Sequence, residues 1–83
     1  MYEVKLTQLS SSHNNVRTKE IVGKCYNLPK VGNAFFMVAA PLDKRAAVRY
    51  FHSSRIEKVT GKYPKFRFKT LNSLYKLEVE GVL

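Results

Sequence analysis

Three stretches of this chain alternate apolar and polar residues one by one. Tyr2, Val4 and Leu6 alternate with Glu3 and Lys5. Phe66 and Phe68 alternate with Lys65, Arg67 and Lys69. Tyr75, Leu77 and Val79 alternate with Lys76, Glu78 and Glu80. A period of two marks a strand with one dry face and one wet face. No segment carries a helical period over ten or more residues, and Gly and Pro interrupt the chain too often for long helices. The chain therefore reads as all-β, and its 83 residues suffice for one domain.

The remaining segments fit this frame. The opening strand extends from Tyr2 toward Leu9, and "SSSHNN" (10–15) reads as an exposed loop. Residues 16–26 form a second strand whose alternation breaks at Ile21 and Val22, with Gly23 next, so a bulge or sharp bend is expected there. "NLPKVGN" (27–33) is a connection. "AFFMVAA" (34–40) is apolar on both sides and reads as a central or loop-covered strand that Pro41 ends. Residues 41–47 form a turn around Asp43. In "VRYFHS" (48–53), Val48, Tyr50 and His52 oppose Arg49, Phe51 and Ser53; an aromatic on each side leaves the inward face open. Ile56 and Val59 are three apart, which suits a 3₁₀-like turn around Ser54 and Arg55. Gly61 marks a tight turn, Pro64 the start of the next strand, and residues 71–73 the last turn. Five or six short strands manage their edges best by curling up. The expected fold is a small, partly open SH3-like barrel with at most a short 3₁₀ turn. An OB-like barrel is the alternative, less suited to a chain this short without a helix.

Motifs for chemistry are few. The one cysteine, Cys25, excludes an internal disulfide, and with His13 and His52 it has no metal-ligand spacing. Cys25 sits in an apolar setting and reads as a small buried hydrophobe. His52 and Ser53 are neighbours on a strand and point opposite ways, and Asp43 is the sole Asp. Gly61-Lys62 matches no phosphate loop, and "GKYPKFRF" does not match the RNP1 pattern. No enzyme, cofactor or metal is expected. The longest apolar run, "AFFMVAAPL", has nine residues, against roughly 20 for a membrane helix. Glu3, Lys5 and Gln8 deny the first residues a signal-peptide core. A cytoplasmic protein without a membrane partner is expected.

Charge carries the functional signal. The net charge is +9, and residues 44–69 hold nine basic residues against Glu57 alone, which is +8 of that total. The candidate binding set is Arg49, Arg55, Lys58, Lys62, Lys65, Arg67 and Lys69, with Tyr50, Phe51 or Tyr63 able to stack on a base if exposed. Two partners suit such a set. The first expectation is an acidic protein, drawn in by steering, that the chain modulates or inhibits. The alternative is nucleic acid. An open edge strand pairing across a two-fold axis, with "AFFMVAA" in the interface, would also make a homodimer.

One ordered series of residues carries a family likeness. Leu28, Pro29 and Gly32 precede an apolar strand; Ser53, Ser54 and Ile56 follow the next; Thr70, Asn72, Ser73, Tyr75, Leu77 and Glu78 close the chain. Over residues 16–80 this resembles small phage-encoded accessory proteins of SH3-like type, with serine at 53 where that pattern has threonine. The resemblance implies a non-enzymatic modulator of host machinery, acting through a host protein in the host cytoplasm. The short polar side chains of Thr70, Asn72 and Ser73 are expected to hold a turn against Ser53 and Ser54.

Overall fold

Six strands and no helix make up the described residues, 1–11, 19–39 and 49–83, of the computed structural model. They are β1 (Tyr2–Ser11), β2 (Lys19–Cys25), β3 (Ala34–Ala39), β4 (Arg49–Lys62), β5 (Lys65–Thr70) and β6 (Ser73–Val82). Each strand pairs antiparallel with the next, and β6 pairs back onto β1, so the sheet closes into a small barrel. The expected all-β barrel of five or six strands is thus what the chain forms. Its weakest seam is between β2 and β3, where only Gly23↔Ala39 and Lys24↔Val38 pair. The loop expected at 12–15 with His13, residues 16–18, Ala40 and the turn around Asp43, with Lys44, Arg45 and Val48, lie outside the described residues.

A six-stranded ring has room inside only for side chains, and alternation sends every second residue there. Val4, Leu6, Cys25, Phe35, Met37, Ile56, Phe68, Tyr75 and Leu77 fill it. Phe68 lies between Phe35 and Tyr75, with ring centroids 5.3 and 5.0 Å away, and Phe51 meets Tyr75 edge-on. Phe51 and Ser53 are therefore the inward side of "VRYFHS", and Tyr50 and His52 the outward side. Phe66 packs half-buried against the same core.

β4 bends to serve two neighbours. Its first half pairs β3 and its second half β5, and each pairing contains a register shift. Against β3, Phe36 faces His52 but Ala34 faces Arg55, so β4 carries one residue more. There the Phe35 N–H donates to Ser53 Oγ at 2.9 Å, and the Ser53 hydroxyl donates to the Ser54 carbonyl at 2.7 Å. A buried hydroxyl thus replaces the ladder partner that the bulge removes. Against β5, Ile56 faces Thr70 but Lys58 faces Lys69, leaving Glu57 as the extra residue. The bulge at Glu57, rather than a 3₁₀ turn, lets Ile56 and Val59 both face inward at a spacing of three.

Other expectations shift for similar reasons. β2 runs against β1 without a register shift, so there is no bulge at Ile21–Gly23; Val22 simply points outward. Gly23 is needed because a Cβ there would collide with the Val38 carbonyl oxygen and lie 2.9 Å from the Ala39 Cα. β1 continues through Ser10 and Ser11, which pair with Leu74 and Ser73. β3 is covered on its inner side only: Phe35, Met37 and Ala39 are buried, while Phe36 is 47% exposed. Two hydrogen bonds at the last turn run from Thr70 Oγ1 to the Ser73 carbonyl and from Gln8 Nε2 to Ser73 Oγ, both long at 3.5 and 3.4 Å. They tie that turn to itself and to β1.

Candidate functional site

The register gathers most of the basic candidates on one outer face. Lys58 and Lys62 on β4 stand directly opposite Lys69 and Lys65 on β5, and Arg67 lies between them opposite Thr60. All five cations are exposed. Outward positions on one strand repeat every ~6.5 Å and neighbouring strands lie ~4.8 Å apart, so these charges form a tight grid. The bulge at Ser53–Ser54 turns Arg55 outward, and the one at Glu57 makes Lys58 the next outward cation along β4. Arg49 begins β4 opposite Ala39, at the far end of the strand from the grid.

A further cation joins from outside the basic segment. Lys76 on β6 faces Arg67 directly. The alternation of "YKLEVE" marks Lys76 as outward, but only the β5·β6 register places it beside Arg67. It also bonds Glu78 at 3.1 Å, and Glu78 faces Lys65. The Glu78 carboxyl is pushed below its ordinary value by the hydrogen bond and charge of Lys76, with Lys5 and Lys65 adding to the effect. Glu57 on β4 and Glu78 on β6 border this face.

Like charges placed directly opposite on a sheet repel, so this arrangement weakens the fold. The outer face of β1 and β2 shows the ordinary solution. There Glu3 faces Lys24, and Lys5 pairs with Glu20 at 3.6 Å. The contrast lies within one barrel. One face alternates sign, while the other sets Lys58 against Lys69, Lys62 against Lys65 and Arg67 against Lys76.

The aromatics divide. Tyr50 and Tyr63 are exposed at 67% and 52%, whereas Phe51 is half-buried and packs against the core. Phe36, read from sequence as covered, stacks on Tyr50 outside the barrel at 5.7 Å and 21°. Phe36 also lines a groove of about 470 Å³ together with Tyr26, Leu28 and Lys30, on the segment between β2 and β3. Cys25 faces the barrel interior, and burial pushes its thiol up from the ordinary value. His52 lies outside, opposite Phe36. Among the described residues, no helix is long and apolar enough to cross a membrane.

No protein-family model, curated protein or solved structure matches the chain.

Proposed function

We propose that the protein is a non-enzymatic binding module that holds nucleic acid by its phosphates on the outer face of β4, β5 and β6. The observation that carries this is the set of like-charged pairs Lys58↔Lys69, Lys62↔Lys65 and Arg67↔Lys76. An outer face with no ligand is better served by mixed charges, as on β1 and β2. A row of phosphates offsets the repulsion and releases condensed counterions on binding. Lysine dominates the grid. Lysine is depleted in protein–protein interfaces, yet it serves well as a point charge for phosphate.

A second reading is favoured by the exposed apolar rings of Phe36 and Tyr50. Buried aromatics anchor protein interfaces, and an acidic host protein bound there would make the chain the modulator that its resemblance to phage accessory proteins implies. Either partner fits a cytoplasmic setting, where the lone thiol stays reduced.

Binding of mixed-sequence DNA and RNA, followed by fluorescence anisotropy across a salt series, separates the two. Each neutralised phosphate adds about 0.7 to 0.9 to the slope of log K against log salt. Changing Lys65, Arg67 and Lys69 together to Gln is expected to reduce that slope by about 2. The absence of binding at low salt refutes the proposal, and an unchanged slope in the triple variant removes β5 from the site.

A further inference from the structure

We infer that the nucleic acid is single-stranded, its bases stacking on the outer aromatics while its phosphates follow β4. This rests on the phosphate-binding reading above and adds the strandedness of the ligand. The outward row of β4 runs from Tyr50 and His52 through Arg55 and Lys58 to Thr60 and Lys62, with Tyr63 in the turn just beyond. Aromatic rings thus stand at both ends of one cationic path. At the first end, the rings of Phe36 and Tyr50 are stacked 21° from parallel, outside the barrel and apart from its core cluster. Tyr63, at the other end, lies between Lys62 and Lys65 in the chain and is half exposed.

The chemistry selects the strand form. In a duplex each base face is covered by its neighbours, so a flat exposed ring finds nothing to stack on. Unpaired bases offer that face, and stacking on aromatics along a positive groove is how sequence-tolerant single-strand binding is built. The grid supplies the charge complementarity, because the cations between the rings match a chain carrying one charge per nucleotide. Stacking has no preference for sequence, so a broad single-strand specificity follows.

The chain has five tyrosines and no tryptophan, so tyrosine emission reports stacking directly. A short oligothymidylate and a duplex of equal length are titrated at low salt into the wild type, Tyr50→Ala and Tyr50→Phe. Tyr50 is 67% exposed and outside the core, so an unchanged thermal midpoint is expected for Tyr50→Phe. Tyr50→Ala loses the stack on Phe36 and should melt a few degrees lower but remain folded at the temperature of the titration. The inference predicts quenching by oligothymidylate and weaker duplex binding. It also predicts a loss of roughly 5- to 150-fold in single-strand affinity for Tyr50→Ala, with Tyr50→Phe close to wild type. Equal binding of both ligands, with Tyr50→Ala silent, overturns the stacking inference and leaves the phosphate reading standing. No binding of either ligand overturns both.

Discussion

Single residues in this barrel carry roles that their chemistry alone does not announce. Ser53 accepts the Phe35 N–H where the β3·β4 ladder slips. In Ser53→Ala that buried donor loses its partner, and a loss of about 1–3 kcal/mol is expected in chemical denaturation. Cys25 titrates in the same spirit. Its folded pKa lies above the ordinary 9.0 because burial disfavours the thiolate. Below 9.0 both the folded and unfolded states keep the proton, and Cys25 costs the fold nothing. As pH rises past 9.0 the unfolded chain ionises first, so stability falls until the folded pKa is passed. Stability measured between pH 8 and roughly 10.5 should therefore decline less steeply in Cys25→Ala than in wild type. That Cys25 is a buried hydrophobe was legible from its apolar neighbours. The role of Ser53 was not, since it exists only where a bulge removes a backbone acceptor.

At the scale of elements, alternation made the faces of β1, β5 and β6 readable, because a strand buried on one side must write that side at every second position. β4 was not readable as one strand. Its two extra residues shift the phase twice, so a continuous strand looks like a strand followed by a turn. Deleting Glu57 tests this. Without it Ile56, Lys58 and Val59 pair consecutively with Thr70, Lys69 and Phe68, so Val59 stays inward and Lys58 outward. The deletion variant should still melt cooperatively by circular dichroism, and a loss of folding would mean that Glu57 is not the extra residue. β3 misled for a different reason. An apolar outer face suggested cover, yet a barrel has only one inside, so Phe36 is left on the surface. The opposed lysines give a sharper test. Lys69→Glu turns a repulsive pair with Lys58 into an attractive one. It should raise the thermal midpoint at low salt by on the order of a few degrees, while weakening nucleic-acid binding. A fall in both stability and binding would mean that the grid carries no repulsion.

For the molecule as a whole, the sequence located the charge excess but not its geometry. Six of the seven candidate cations follow one path along β4 and β5 because the hairpin between them folds a sequence run into a surface. Arg49 stands at the other end of β4, and Lys76 enters from a distant part of the chain. The barrel thereby carries one face where opposite charges are paired and one where cations face cations across β4, β5 and β6, with Glu78 at its border. Backbone amide shifts by NMR, followed during titration with oligothymidylate at low salt, test this division most directly. The account predicts shifts concentrated at Lys58, Lys62, Lys65, Arg67, Lys69 and Lys76 and extending along β4 to Tyr50, with Glu3, Lys5, Glu20 and Lys24 unmoved. Shifts centred on β1 and β2, or none at all, would contradict it.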